Sequence, residues 1–240
     1  MRTTQRLDKV LSNYGFGSRK ELKEAFKTGQ VLVDGNVAKD PGLHVDPEKS
    51  EIVINGDKLC YKKYIYLMMN KPQGVISATE DNVHKTVLDL VPLEYEHFEL
   101  FPAGRLDIDT EGFVLLTNDG QLAHDILAPK KHVPKRYYAK IEGVVTQEDM
   151  ASFKEGVVLE DGYKSLPAEL EIITSDEISV IEISIVEGKF HQIKRMFEAV
   201  DKKVIFLKRL QMGGLRLDEN LKPGELRELR DGELELLQQR

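Results

Sequence analysis

The chain has a single cysteine, Cys60, in 240 residues. A lone thiol excludes a disulfide framework within one chain and any zinc site built on cysteines, and it suits a reducing compartment. No apolar run approaches the ~20 residues that cross a bilayer. Met1 to Arg6 is polar, where a secretion signal would need an apolar stretch. The expectation is a cytoplasmic protein with no membrane partner. Internal repeats and low-complexity segments are missing too. So is any excess of positive charge, since the formal net charge is −7. That shortage argues at first against a nucleic-acid partner, but distribution matters more than the sum. Residues 1–29 carry Arg2, Arg6, Lys9, Arg19, Lys20, Lys23 and Lys27 against Asp8, Glu21 and Glu24. Residues 129–140 hold Lys130, Lys131, Lys135, Arg136 and Lys140 with no acid. The acids collect elsewhere, notably after Asp218.

What is present suffices for one medium domain and a small one, with 41% hydrophobic and 31% charged residues. In the first segment Leu7, Val10, Leu11 and Tyr14 recur at helical spacing. Ser18 and Glu21 have the spacing of a capping box for a second helix, whose apolar face is Leu22, Ala25 and Phe26. Gly29 stands where a left-handed C-terminal residue is wanted. Strands at 31–33 and 51–54 are followed by the tight turns Asp34-Gly35 and Asn55-Gly56. Arg19, Lys20 and Lys23 open the second helix, where free N–H groups already favour phosphate. Taken alone, these bases could equally be the wet face of a short helix. The run RLDKVLSNYGFGSRKELKEAFKTGQVLVDGNVAKDP resembles the S-four domain, an RNA-binding module. The resemblance implies that Arg6, Lys9, Ser18, Arg19, Lys20 and Lys23 face RNA. The division expected is a small α/β domain over 1–59, a linker over 60–63 and a larger domain over 64–240.

The larger domain centres on Gly104-Arg105-Leu106-Asp107-Ile108-Asp109-Thr110-Glu111-Gly112, followed by the apolar run Phe113 to Leu116 and the turn Asn118-Asp119-Gly120. The apolar run reads as a buried strand. The residues before it carry too much charge and glycine for a core element. Asp107 and Asp109 invite a metal reading, but no His or Cys stands beside them and the calcium-loop spacing is absent. A polar turn feeding a strand is an equally good reading of the residues by themselves. GRLDIDTEG followed by LLTNDG, however, resembles the pseudouridine synthases, in the branch that modifies ribosomal RNA. Asn70-Lys71-Pro72-Gln73-Gly74 is similar to the first motif of that family. Its role here reads as structural, with Pro72 fixing φ and Gly74 permitting a bend.

Lys135 to Ile141 alternates polar and apolar, as a half-buried strand does. Strands at 170–173 and 178–186 precede Glu187-Gly188-Lys189-Phe190-His191-Gln192-Ile193-Lys194-Arg195, a turn entering a basic helix. His191 is a candidate general base, but it reads better as a satisfied structural histidine. By the resemblance, Asp107 is the catalytic residue, Tyr137 supplies an active-site tyrosine and Lys194 pairs with Asp107, with Ile193 as its apolar neighbour. Arg105, Lys135 and Arg136 are the expected substrate contacts. Relatives commonly have Gly where this chain has Asp201, a substitution that an Asp in the left-handed conformation tolerates at some cost.

The resemblance implies an α+β catalytic domain with a mixed, mostly antiparallel sheet flanked by helices. It also implies an enzyme that isomerises uridine to pseudouridine in ribosomal RNA. The small-subunit branch points to uridine 516 of 16S rRNA, perceived naked or in a partly assembled particle. A large-subunit (23S) enzyme of the same branch shares the motifs. No atoms enter or leave, so neither cofactor nor metal is expected, and a monomer is expected. Two other readings use the same residues. A glycoside hydrolase needs two carboxylates flanking one bond, but Asp107 and Asp109 would face opposite sides of an extended segment. A ribosome-assembly factor that only grips RNA would be indifferent to loss of Asp107.

Overall fold

The computed structural model describes residues 4–239; Arg2 of the basic N-terminal segment lies outside them. The chain forms two compact units, one of residues 1–64 with 92–99, the other of residues 65–91 with 100–240.

The first unit runs β1 (Gln5–Arg6), α1 (Leu7–Asn13), α2 (Arg19–Lys27), β2 (Val31–Val33), β3 (Asn36–Val37), β4 (His44–Val45), β5 (Ile52–Ile54) and β6 (Asp57–Lys58). Its four-stranded sheet has the order β3-β2-β5-β6, and β1 pairs with β4. The local rules act as the sequence suggests. The Ser18 hydroxyl accepts from the Glu21 N–H at 3.3 Å while the Glu21 carboxylate accepts from the Ser18 N–H at 2.7 Å, which closes the capping box. Gly29 takes φ 75°, and the Asp34-Gly35 and Asn55-Gly56 turns have the doubly positive φ of tight hairpins. Leu7, Leu11, Leu22, Phe26, Val31 and Ile52 form the centre of the core. Each fully buried side chain of this kind contributes about 1.5–3 kcal/mol. Residues 92–99 contribute the buried Phe98, whose ring meets Tyr14 edge-on at 5.9 Å. No periodicity marks this segment, and the division read from the sequence runs 64–240 without interruption.

The second unit runs β7 (Tyr66–Lys71), β8 (Phe101–Ala103), β9 (Glu111–Thr117), α3 (Gly120–Leu127), β10 (Lys135–Glu142), α4 (Gln147–Glu155), β11 (Glu169–Thr174), β12 (Ile178–Ile185), α5 (Gln192–Glu198), β13 (Lys203–Met212), β14 (Leu215–Arg216), β15 (Leu226–Glu228) and α6 (Glu233–Leu236). Its sheet has nine strands among the described residues, with the path β11-β12-β10-β13-β9-β7-β15. The β13–β9 pairing is parallel and the other pairings are antiparallel. The class is therefore α+β with a mixed, mostly antiparallel sheet. β9 is buried from Gly112 to Thr117, because β7, β8 and β13 flank it and a core that includes Phe113, Leu115, Leu122, Ile126 and Met212 closes over it. α4 and α5 are locked by the Phe153 and Phe197 rings, 4.8 Å apart. Asp201, just beyond α5, takes φ 58°, the left-handed conformation that Gly would adopt without penalty.

Candidate active site

The GRLDIDTEG stretch is the connection between β8 and β9, antiparallel neighbours in which Ala103 faces Leu115. A connection so rich in charge needs anchors, and the segment after β7 provides them. Lys71 is completely buried. Its ammonium donates to the carbonyls of Pro72 at 3.0 Å, Asp107 at 3.0 Å and Thr110 at 2.8 Å. The Gly74 N–H donates to the Ile108 carbonyl at 2.8 Å. The Ser77 hydroxyl accepts from the Leu106 N–H at 3.0 Å. The structural reading of the first motif therefore holds, and Lys71 is its principal member. Burial pushes the Lys71 pKa down to about 8, against the opposing pull of Asp107, Asp109 and Glu111.

Lys194 reaches the same loop from the third residue of α5. Its Nζ lies 3.0 Å from Asp107 Oδ2 and 2.7 Å from Asp109 Oδ1. Burial would lower the Lys194 pKa, but the hydrogen bonds to Asp109 and Asp107 outweigh it and raise it. Burial likewise works to raise the Asp109 pKa, and the Lys194 ammonium overcomes it, so the net direction is down. Both carboxylates thus answer to one ammonium. The expectation that they face opposite sides fails, because Ile108 and Asp109 form a turn rather than an extended segment.

Tyr137 enters from β10, the strand beside β13 at the middle of the sheet. It is buried, and it lines an open cleft of about 420 Å³ together with Arg105, Asp107, Thr110, Ile193 and Lys194. The three residues assigned to the chemistry by resemblance therefore meet, although they lie far apart in sequence. Ile193 supplies apolar wall, and Arg105 is an exposed side chain on the cleft.

The other two expected substrate contacts do not reach this cleft. Arg136 alternates with Tyr137 along β10 and so points to the other face of the sheet. There its guanidinium pairs with Glu171 at 2.7 Å and with Glu182. Lys135 shares the Tyr137 face but is itself buried and does not line the cleft. Desolvation, with Arg209 adding to it, drives the Lys135 pKa down to about 8. His191 is also unlike its expected role. Its side chain is 40% exposed, its ring stacks on Phe190, and its Nε2 lies 3.7 Å from Asp107 Oδ1.

Two groups escaped the sequence reading. Arg209 is buried, and its Nε donates to the Phe113 carbonyl at 2.7 Å, beside the point where β13 meets Gly112. The signal was a cation two residues from Leu207, in phase with that buried side chain along the strand. Thr110 lines the cleft with a buried hydroxyl that has no hydrogen-bond partner. Such a hydroxyl calls for a partner from whatever fills the space. Among the described residues no cluster of His, Cys, Asp and Glu has the makings of a metal site.

In the first unit, Arg19, Lys20 and Lys23 are exposed along α2, and Lys9 is exposed on α1. Arg6 makes a paired contact with the buried Asp8, Nη2 to Oδ2 at 2.8 Å and Nε to Oδ1 at 3.0 Å. Ser18 is engaged in the capping box, so its contribution is to hold the start of α2.

A carboxylate–ammonium contact in a cleft beside a mixed sheet, in a chain that also carries a small domain with basic residues exposed along a helix, fits an enzyme that acts on nucleic acid. Comparison with known proteins makes the class specific. Residues 65–199 match the RNA pseudouridylate synthase family and residues 5–50 match the S4 domain. An uncharacterised RNA pseudouridine synthase of Bacillus subtilis, YtzG, is 55% identical over 97% of this chain and 98% of its own. Ribosomal small subunit pseudouridine synthase A of Salmonella typhimurium is 40% identical over 95% of this chain and 98% of its own. Ribosomal large subunit pseudouridine synthase B of Bacillus subtilis is 37% identical over 97% and 95%. A crystal structure of a pseudouridylate synthase, 35% identical, superposes with a TM-score of 0.68 over 97% of this chain and 99% of that one. The chain belongs to the RNA pseudouridine synthase family and carries an N-terminal S4 domain.

Proposed function

We propose that this enzyme converts a uridine of 16S rRNA, at the position conventionally numbered 516, into pseudouridine. The observation that carries the chemistry is the Asp107–Lys194 contact at 3.0 Å on the floor of a cleft. In the reaction the C1′–N1 bond breaks, the uracil turns, C5 bonds to C1′, and the proton displaced from C5 is balanced by one gained at N1. The protein needs one ionised carboxylate at the sugar, and Asp107 serves as nucleophile at C1′ or as base at C2′. Lys194, 3.0 Å away, fixes that carboxylate in place and lies where it can balance its charge. Tyr137 lies against the uracil and Ile193 packs beside it. A stacked uridine shields its glycosidic bond, so the base is flipped into the cleft at a cost of about a few kcal/mol. Arg105 fills the vacated space or holds a flanking phosphate. Lys9, Arg19, Lys20 and Lys23 hold the backbone of the RNA. The protein acts as a monomer in the cytoplasm.

The choice of 16S rRNA rests on likeness to small-subunit synthase A over nearly the whole of both chains. Likeness to large-subunit synthase B favours 23S rRNA as the second reading. Mapping pseudouridines in both rRNAs from a strain lacking this gene decides between them. Loss of a single 16S site is expected, and loss of a 23S site instead would move the substrate to the large subunit.

A further inference from the structure

His191 lines the Asp107 cleft, and the ring of Phe190 stacks on it. Phe190 is 73% exposed, yet the loop that carries it is tied down. Buried Glu187 accepts from the Tyr163 hydroxyl at 2.7 Å, from the Leu166 N–H at 3.0 Å and from the Gln192 amide. Buried Gln192 in turn accepts from the Lys189 N–H at 2.9 Å. The Lys189 ammonium sits over the Tyr163 ring, 3.2 Å from its centroid. His191 holds a left-handed φ of 49°. Its ring lies beside Asp107 on one side and stacks on Phe190 on the other, with centroids 3.8 Å apart and planes within 17°. An isolated exposed phenylalanine needs no explanation. This one belongs to a loop held by a buried polar network, and it lies nearly parallel to a ring whose Nε2 is 3.7 Å from the carboxylate at the centre of the site.

We propose that the Phe190–His191 stack is a platform for the nucleobase next to the target uridine in the RNA strand. The inference rests on the proposed action on RNA and extends it to substrate context. Extruding one base into the cleft strips its neighbour of a stacking partner, and the Phe190 ring replaces that partner. Stacking on an aromatic face tolerates any base. The platform therefore selects an unpaired, accessible neighbour, with larger purine faces favoured, and reads no hydrogen-bond pattern. Phe190 is in these terms a positioning residue.

The test uses the full-length chain carrying Asp107→Asn and two short single-stranded RNAs. Each RNA has one uridine, with 2-aminopurine as its 5′ neighbour in one and as its 3′ neighbour in the other. Stacking on a ring quenches 2-aminopurine fluorescence. One of the two probes is expected to be quenched on binding. The quench should vanish on adding Phe190→Ala or Phe190→Leu and return with Phe190→Tyr. In the active protein Phe190→Ala should raise KM for a 16S rRNA transcript about tenfold, with kcat nearly unchanged and Phe190→Tyr close to wild type. Absence of quenching with both probes, or quenching that survives Phe190→Ala, overturns the platform. Phe190-dependent quenching by a protein that forms no pseudouridine in 16S or 23S transcripts would keep the platform and sink the functional reading instead.

Discussion

Gly112 closes the motif that carries Asp107, and its replacement by alanine has a cost that can be worked out. The residue has φ 103°, outside the region a side chain tolerates. A Cβ built there would lie 2.2 Å from the Arg209 carbonyl oxygen, 2.7 Å from its nitrogen and 3.0 Å from its carbonyl carbon. These are main-chain atoms of β13, so no rotamer change relieves the overlap. Parallel pairing between β9 and β13 rests on Lys208 opposite Glu111 and Arg209 opposite Gly112. The seam must open by about an ångström, or Gly112 must leave its conformation. Strain of this kind costs about 1–3 kcal/mol for the backbone alone. With the lost pairing, Gly112→Ala should destabilise the second unit by roughly 3–5 kcal/mol. At this size that lowers the melting temperature by about 6–20 °C. Gly162→Ala is the control, since Gly162 also has positive φ, 80°, but meets nothing within 4 Å. It should cost about 1–2 kcal/mol. Calorimetry on both variants, with circular dichroism to confirm that each is folded, makes the comparison. Equal melting temperatures would refute the claim that close approach of β13, rather than φ alone, demands glycine.

Two further outcomes follow from the charges. Lys71 is held at a pKa of about 8, below the 10.5 of the free side chain. Between those values the unfolded chain binds a proton that the folded chain releases, so this group's contribution to stability rises with pH there. Activity should move the other way, because the neutral amine has one N–H fewer for its three carbonyl partners, two of which, at Asp107 and Thr110, belong to the Asp107 loop. The pH–rate profile should show an alkaline limb centred near 8, and Lys71→Met should abolish the limb along with most of the activity; a flat profile to about pH 9.5 would contradict it. In the first unit, changing Arg19, Lys20 and Lys23 together to Gln should weaken binding to rRNA transcripts at low salt. The slope of log K against log salt should become shallower by about 2–3, and an unchanged slope would remove these residues from the RNA contact.

Much of the fold was legible because its signals are local. The capping box of α2, the two hairpin turns and the apolar run Phe113 to Leu116 of β9 each depend on a few adjacent residues. Residues 92–99 gave no such sign, since their place in the first unit rests on Phe98 meeting Tyr14 far away in sequence. The centre of the site was legible through the motif. Asp107 and Lys194 do make contact, and Tyr137 shares their cleft. The misreadings came from strand phase and from turns. Arg136 sits next to Tyr137 in sequence and on the opposite face for that very reason. Asp107 and Asp109 converge on Lys194 because a turn replaces the extended geometry assumed for them. His191 reads in sequence as a satisfied structural histidine, but it takes a left-handed φ of 49° and lines the cleft. Arg209 was hidden in a strand whose other inward residues are apolar.

The central claim is that the Asp107 carboxylate, steadied by Lys194, does chemistry at the sugar of an extruded uridine. Purified wild type and Asp107→Asn, matched in fold and in RNA affinity, should be incubated with 16S and 23S rRNA transcripts and the products mapped for pseudouridine. One modified site is expected with the wild type and none above background with Asp107→Asn. An amide variant that modifies the same site at the wild-type rate would contradict the claim.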